Sequence, residues 1–260
     1  MFDEGVPRAP FLMESPMHWE IVAKKPIFVD IKRQDMLIVL EGLDGAGKST
    51  QLKMISDYFA SAGRQVDYLH FPRYDAPVFG GLISKFLRGD FGSIDQVHPQ
   101  LVALLYACDR RDAAPQLRGK LDAGHVVILD RYVYSNIAFQ CSKQLSAEDA
   151  AELRRWIFDT EYGDFGIPKP DLNIFLDVPI SFVDDKLKHA RKGSDRDYLE
   201  GKSDIHEASI EFQKGVRRVY LEQCELDGSF IRIDCSDDKG AMLDPESIFE
   251  KIKKRIDALL

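Results

Sequence analysis

The sequence predicts an α/β protein in which helices cover both faces of a parallel central sheet of about five strands, a three-layer αβα arrangement. Five short apolar runs alternate with longer segments of helical periodicity. Continuous apolar runs are typical of strands that are buried on both faces, and their alternation with helices is typical of a parallel sheet. A glycine-rich stretch, EGLDGAGKST at residues 41–50, separates the first apolar run from the first helical segment.

The predicted elements follow one another along residues 36–260. The strands are the runs LIVLE, VDYLHF, VVILD, LNIFLDV and FIRID. The helices are expected at residues 48–62, 100–123, 147–161, 180–190, 205–224 and 245–260.

Residues 1–35 mix prolines, charges and isolated aromatics without a sustained period. We expect a poorly ordered extension there, with a short added strand around PIFVDI as the alternative.

Composition narrows the class of protein before any motif is considered. The chain has 260 residues, 45% of them hydrophobic, and a net charge of -8. An acidic protein of this kind does not offer the basic face that a nucleic-acid backbone requires, so we expect no nucleic-acid partner. No apolar run is long enough to span a membrane, and the four cysteines are scattered without a CxxC pair. We therefore expect a cytoplasmic protein with free thiols and no membrane partner.

The glycine-rich stretch has the pattern of a phosphate-binding loop. GLDGAGKS matches G-x-x-x-x-G-K-[ST] and lies between a strand and a helix, which is the context the motif requires. Its backbone N–H groups and the positive end of the following helix favour a polyphosphate ligand. Lys48 is expected to neutralise the β- and γ-phosphates, and Ser49 to bind Mg²⁺. The residues predicted to bind this polyphosphate are Gly42, Leu43, Asp44, Gly45, Ala46, Gly47, Lys48, Ser49 and Thr50.

A second metal-binding residue is expected on the strand that ends at residue 130. Asp130 closes the apolar run VVILD at the carboxyl edge of the predicted sheet, where ligands bind in open α/β folds. Its carboxylate is placed to hold Mg²⁺ opposite Ser49. Arg131 follows it directly, and a guanidinium group suits a phosphate that has several oxygens.

Three further stretches give the sequence its resemblance to a known family. They are FPRY at residues 71–74, YACDRRDAAP at 106–115 and LDRYVYSNIAFQ at 129–140. With the phosphate loop before them, they form an ordered pattern that resembles the thymidylate kinase family through nearly all of residues 36–260. The resemblance implies a P-loop kinase fold, and an enzyme that transfers a phosphoryl group from ATP to dTMP with Mg²⁺. It also implies a homodimer.

The resemblance assigns the base-binding residues to two helical segments. Tyr106 and Arg110 lie four positions apart and so share a helix face. In the family an aromatic residue at the first position stacks on thymine and the arginine reaches its O4, with Arg111 as the neighbouring alternative here. By the same resemblance Asn136 reads the N3 and O2 edge of the base, and Gln140 lies one turn further on.

The sugar and phosphate of the acceptor are assigned in the same way. An aromatic residue after the DRY segment excludes a 2′-hydroxyl in the family, and Phe139 holds that position here. The resemblance places Asp44 and Tyr74 near the 3′-hydroxyl, Phe71 in the pocket wall, and Arg73 and Arg131 toward the acceptor phosphate.

The polar segment HARKGSDRDYLEGKSDIHE, residues 189–207, is long for a connection between helices and predicts a mobile lid. Some members of the family carry a basic residue in the phosphate loop where this chain has Gly45. The cation on the transferring phosphoryl group is therefore expected from the lid, with Arg196, Arg191 and Lys192 as candidates. Tyr198 resembles the tyrosine at the lid end in the family.

Two alternatives remain at this stage. One is a kinase of the same fold that acts on another pyrimidine nucleotide or on a deoxynucleoside. The other is a nucleotide-binding protein without catalysis, which would be expected to lack Lys48, Asp130 or Arg131, and all three are present.

Overall fold

The structure is a computed structural model that describes residues 35–188, 194–200, 204, 206 and 209–260. For residues 186–188 and 194–196 only the backbone is described. The predicted N-terminal extension at 1–35, including PIFVDI, lies outside the described residues except for Asp35. Most of the predicted lid at 189–207 lies outside them as well.

A five-stranded parallel sheet forms the centre of the described chain, as the sequence predicts. Its strands are β1 (Met36–Gly42), β2 (Val66–His70), β3 (Val126–Asp130), β4 (Leu172–Asp177) and β5 (Phe230–Asp234). They are arranged in the order β2-β3-β1-β4-β5. Every residue of β1, β3 and β4 is buried, whereas the two edge strands are partly exposed. The continuous apolar runs therefore mark the inner strands, which are covered on both faces.

Eight α-helices lie between and after these strands in the described part of the chain. They are α1 (Lys48–Ser61), α2 (Phe79–Leu87), α3 (Pro99–Asp122), α4 (Val133–Cys141), α5 (Ala147–Phe158), α6 (Ile180–Lys188), α7 (Ile210–Leu226) and α8 (Pro245–Asp257). Helix α1 packs against α8, and α4 packs against α3, α5 and α7.

The sequence analysis missed two helices, and it was wrong about one helix start. All nine residues of α4 are buried, so the segment has no polar face to reveal a helical period, and α2 was not predicted either. Helix α7 begins at Ile210 rather than at residue 205, because the Ser209 hydroxyl accepts a hydrogen bond from the Phe212 N–H and caps the helix. Helix α5 ends at Phe158 and continues as a π-helical turn, Asp159–Asp164.

The carboxyl ends of the inner strands meet at one edge of the sheet. Gly42 at the end of β1 pairs with Leu176 of β4, and Leu40 pairs with Asp130 at the end of β3. The Arg131 N–H then donates to the Leu40 carbonyl at 2.9 Å, which brings the residue after β3 back beside β1. Within the described residues, none of the helices is both long and apolar enough to cross a membrane.

Candidate active site

The phosphate loop connects β1 to α1 and depends on glycine at three places. Gly45 and Gly47 have φ angles of 75° and 81°, in the left-handed region that favours glycine. Gly42 has a different role, because a Cβ there would lie 3.4 Å from the Leu176 carbonyl oxygen and 3.4 Å from the Ala46 Cβ. The first glycine thus permits close approach of the loop to β4, and the other two permit its turn toward the N-terminus of α1.

Lys48 and Asp130 lie together beneath this loop. The Lys48 Nζ donates to the Leu43 carbonyl at 3.3 Å and lies 3.8 Å from Asp130 Oδ1. Burial lowers the pKa of Lys48, and the nearby charge of Arg131 lowers it further. No described residue donates a hydrogen bond to Asp130 Oδ1, which is buried. A buried carboxylate oxygen that has no described donor fits the oxygen ligands that Mg²⁺ prefers.

A cavity of about 560 Å³, which includes its open mouth, lies beside the phosphate loop. It contains most of the residues that the sequence assigned to the acceptor. The lining residues are Asp44, Phe71, Pro72, Tyr74, Leu87, Tyr106, Arg110, Arg131, Tyr132, Ser135, Asn136, Phe139, Gln140, Tyr198, Asp204 and His206. Helices α2, α3 and α4, the phosphate loop and the residues before α7 each contribute to its wall.

One wall of the cavity is a fully buried polar cluster on α3, α4 and the π-helical turn. Arg110 Nε and Nη2 donate to the two carboxylate oxygens of Glu161 at 2.5 and 2.7 Å. Asn136 Nδ2 donates to the same carboxylate at 2.9 Å and to the Ala103 carbonyl at 3.0 Å. Asn136 Oδ1 is buried and receives no hydrogen bond from a described residue. Glu161 thus fixes both pocket residues and leaves an acceptor atom on Asn136 for a ligand.

A second polar cluster holds Arg131 on the side of the phosphate loop. Its Nη2 donates to Asp44 Oδ1 at 2.7 Å, and its Nη1 donates to the Ser135 hydroxyl at 3.1 Å. Glu41, fully buried on β1, accepts hydrogen bonds from the Tyr132 and Ser135 N–H groups at 2.8 and 3.1 Å. Burial raises the pKa of Glu41, and the hydrogen bond from the Ser135 hydroxyl, the charge of Arg131 and the Tyr132 N–H oppose the increase.

The backbone of Arg131 is unusual for a residue with a large side chain. Its φ is 67°, in the left-handed region. Such a conformation costs on the order of 1 kcal/mol or more in a residue other than glycine and is found mainly where the surrounding contacts fix it. Here the side chain is held by Asp44, Ser135 and the face of Phe139, whose ring centroid lies 5.1 Å from the guanidinium carbon.

Aromatic residues form the opposite wall. Tyr74 stacks on Tyr198 with ring centroids 3.7 Å apart and 6° between the planes, and Tyr198 donates to Asp204 at 2.7 Å. Phe139, 7% exposed, lies 5.2 Å from the His206 ring. Tyr106 is partly buried. Like Tyr74 and Tyr198, it packs against a small apolar cluster formed by Ile83, Phe86, Leu87 and Val102.

Arg73 differs from the expectation that it faces an acceptor phosphate. Its guanidinium donates to Asp109 Oδ1 at 2.9 Å and to Asp112 Oδ2 at 2.6 Å, and its N–H donates to Asp109 Oδ2 at 3.0 Å. It does not line the cavity. Two carboxylates of α3 neutralise this arginine, so in the structure it anchors the loop after β2 to α3. The peptide bond between Phe71 and Pro72 in this loop is cis.

The lid arginines cannot be placed in the same detail. Arg191 and Lys192 lie outside the described residues, and Arg196 lies in the 3₁₀ helix Ser194–Leu199, where its side chain is not described. Tyr198 of this helix is described and lines the cavity.

Sequence reasoning missed several residues of the site because each is joined to it only through the fold. Glu161 lies 51 positions from Arg110, Gln213 lies 169 positions from Asp44, and Tyr220 lies 179 positions from Glu41. No local pattern marks any of them. Glu41 was the most detectable, since an acidic residue in a buried strand requires partners.

Comparison with known proteins identifies the family. The family model described as thymidylate kinase matches residues 40–244. The chain belongs to the thymidylate kinase family. Thymidylate kinase from Mycobacterium tuberculosis is 35% identical over 187 residues, which cover 72% of this chain and 85% of that protein. A probable thymidylate kinase from Thermococcus kodakarensis is 34% identical over 230 residues, covering 86% and 98% respectively.

The human protein and a solved structure give the same result. Human thymidylate kinase is 33% identical over 164 residues, which cover 63% of this chain and 69% of the human protein. The structure of thymidylate kinase from Candida albicans aligns with a TM-score of 0.62 at 26% identity, covering 86% of this chain and 92% of that one. Family and fold therefore agree with the phosphate loop and the parallel sheet described above.

Proposed function

We propose that this chain uses ATP and Mg²⁺ to phosphorylate dTMP, giving dTDP and ADP, with the cavity as the acceptor site. One observation carries the proposal: Asp44 of the phosphate loop lines the cavity, and so does Arg131, which donates a hydrogen bond to Asp44. A donor held by the loop and an acceptor held in the cavity would meet at this arginine. Phosphoryl transfer requires mainly this positioning, together with neutralisation of charge.

On the donor side, Lys48 and the N–H groups of the loop bind the phosphates of ATP. Asp130 and Ser49 are the residues that would hold Mg²⁺, which, when bound, neutralises charge on the phosphate oxygens. Arg131 binds the acceptor's phosphate on the other side of the transferred group. Because a phosphate monoester is already anionic at neutral pH, no strong general base is required of the chain.

On the acceptor side, the polar cluster around Glu161 reads the base. Asn136 Oδ1, which has no described donor, is suited to accept the N3–H of a thymine ring. Arg110, held in place by Glu161, is suited to donate to O4, and Tyr106 provides an aromatic face for stacking. Phe139, beside Arg131, occupies the position where a 2′-hydroxyl would lie.

The cation for the transferring group and the assembly state complete the proposal. Arg196 and Arg191 remain the candidates for that cation.

We also propose a homodimer, because α3 exposes Leu101 at 64% and Leu104 at 37% on a helix whose other face is core. Sedimentation analysis of the purified chain tests the assembly state. A cytoplasmic location agrees with the four cysteines, all of which are free.

The test is a steady-state panel of acceptors with ATP and Mg²⁺: dTMP, dUMP, dCMP, UMP and thymidine. We expect the highest kcat/KM for dTMP. A higher value for another nucleotide would support a kinase of different acceptor specificity, and a higher value for thymidine would indicate a nucleoside kinase. Binding of ATP without turnover of any acceptor would support the non-catalytic alternative.

A further inference from the structure

A partly buried lysine just after α4, Lys143, has no place in the proposed chemistry. Lys143 Nζ lies 5.2 Å from the centroid of the Phe86 ring and 5.9 Å from that of Phe212. It forms no ion pair with a carboxylate of the described residues, although the charge of Asp95 acts on it. A lysine in such surroundings loses much of its hydration, a cost that implies a compensating role.

The polar partners of Lys143 are two residues of the cavity wall. Its Nζ donates to Gln140 Oε1 at 2.8 Å and lies 3.2 Å from His206 Nε2. Gln140 and His206 are 1% and 6% exposed, and both line the cavity, as Phe139 does. Lys143 itself does not line the cavity.

The chemistry of these contacts fixes the orientation of both partners. A protonated lysine amine donates hydrogen bonds and accepts none. Burial lowers the pKa of Lys143 to about 7, so the protonated form prevails below that pH. Gln140 must therefore direct its carbonyl oxygen toward Lys143, which leaves its NH₂ group for the opposite side. His206 must offer an unprotonated Nε2, so its proton lies on Nδ1. Burial lowers the pKa of His206 well below its usual value and the charge of Lys143 lowers it further, so the imidazole is neutral at pH 7.

The backbone of His206 is held by separate contacts, so Lys143 is needed only for the ring. The His206 N–H donates to Asp204 Oδ1 at 2.7 Å, and the His206 carbonyl accepts from Gln213 Nε2 at 2.9 Å. Phe86, Phe139 and Phe212 surround the ring with centroids 5.2 to 5.4 Å away, and they cannot select between its two nitrogens.

We infer that Lys143 is a positioning residue of the acceptor site, which orients Gln140 and His206 so that both present N–H donors to a sugar oxygen of the acceptor. The sugar follows from Phe139, which precedes Gln140 in the sequence, lies 5.2 Å from the His206 ring and is assigned to the 2′ position. The inference rests on the proposed function for the identity of the acceptor. The orientation of the two side chains rests on the contacts of Lys143 alone.

The orientation can be tested without substrate, by NMR of the ¹⁵N-labelled protein at pH 6.5, where Lys143 is mostly protonated. Long-range ¹H–¹⁵N correlations distinguish the two imidazole tautomers, and the His206 signals among the six histidines are those missing from His206→Gln. We expect a single Nδ1–H tautomer in the parent and a mixture in Lys143→Met, whose side chain can still fill the space between the two phenylalanines. An Nε2–H tautomer in the parent, or an unchanged pattern in Lys143→Met, would overturn the inference.

The consequence for the acceptor is tested by kinetics. Lys143→Met should raise the KM for dTMP about tenfold, as expected when one or two hydrogen bonds are lost, while kcat and the KM for ATP change by less than about twofold. Lys53→Met, on the exposed surface of α1, is the matched control and should leave all three constants unchanged.

Gln140→Glu separates positioning from a merely structural role. Its carboxylate would form an ion pair with Lys143, so a structural role predicts an unchanged KM and equal or higher thermal stability. Loss of the amide donor instead predicts a KM for dTMP raised about tenfold at undiminished stability. An unchanged KM in both Lys143→Met and Gln140→Glu would refute the inference. Failure of the parent to phosphorylate dTMP would refute the proposed function, while the tautomer experiment would still decide the role of Lys143.

Discussion

The proposed donor and acceptor sides of this site are built in opposite ways. The donor side consists of the consecutive residues 42–50, held between the end of β1 and the start of α1. The acceptor side brings together helices α2, α3 and α4, the 3₁₀ helix, the phosphate loop and a π-helical turn, and its key contacts join residues 25 to 51 positions apart. The first is a local structure, and the second exists only once the chain has folded.

The difference has an energetic counterpart. The loop relies on backbone conformation and on one buried cation, Lys48, whose carboxylate neighbour is 3.8 Å away. The cavity relies on a bidentate ion pair with both side chains at most 2% exposed. Removing one partner of such a pair leaves the other charge buried and uncompensated. Substitutions on the donor side should therefore affect turnover first, and those in the cluster around Glu161 should affect folding and acceptor binding first.

The largest effect is expected on the donor side, for Lys48→Ala. Without the Lys48 cation, the negative charge that develops on the phosphate oxygens in the transition state is less stabilised. We therefore expect kcat to fall about 10²- to 10³-fold, measured by a coupled assay of ADP release. Thermal stability should not fall, because the wild-type lysine is itself a buried cation that burial makes unfavourable. Lys53→Ala is the control, since Lys53 pairs only with exposed Asp57 on the same helix. Turnover within a few-fold of the parent would show that the loop does not bind the donor.

The next effect is expected for Glu161→Ala, which leaves Arg110 buried without its partner. The free energy of unfolding should fall by about 3 kcal/mol or more, measured by urea denaturation, and dTMP binding should weaken as well. Asp57→Ala, which removes an exposed pair, should cost no more than about 0.5 kcal/mol. Glu161→Gln retains one acceptor oxygen and should be intermediate. If Glu161→Ala were as stable as Asp57→Ala, the cluster would not be the rigid part of the acceptor site.

The smallest effect is expected for Phe139→Ala, which tests discrimination within the cavity. Opening space beside Arg131 should reduce the preference for dTMP over its ribonucleotide about tenfold, measured as the ratio of the two kcat/KM values. The ratio cancels any general loss of active protein. If it did not change, another residue would have to exclude the 2′-hydroxyl.

The same contrast decides what the sequence could reveal. The five strands and the phosphate loop were predictable because each depends on neighbouring residues: buried apolar runs, glycines at positive φ, and a lysine at the helix start. The order of the strands in the sheet was beyond such local patterns, since pairing of β1 with both β3 and β4 depends on contacts across the whole chain.

The cavity was predictable only in part. Tyr106, Arg110, Asn136 and Phe139 could be assigned because they lie in recognisable stretches, and all four line the cavity. Glu161, which fixes two of them, could not be found, because it lies in a π-helical turn that resembles the end of a regular helix in sequence. Arg73 could not be distinguished from a phosphate ligand without its partners Asp109 and Asp112.

The separation of the two sides is tested most directly by calorimetric titration of dTMP, without ATP, into the parent, Lys48→Ala and Glu161→Gln. We predict that Lys48→Ala binds dTMP within about threefold of the parent although its turnover is lost, and that Glu161→Gln binds dTMP at least about tenfold more weakly. If Lys48→Ala lost affinity for dTMP while Glu161→Gln bound it as the parent does, the assignment of the cavity as the acceptor site would be contradicted.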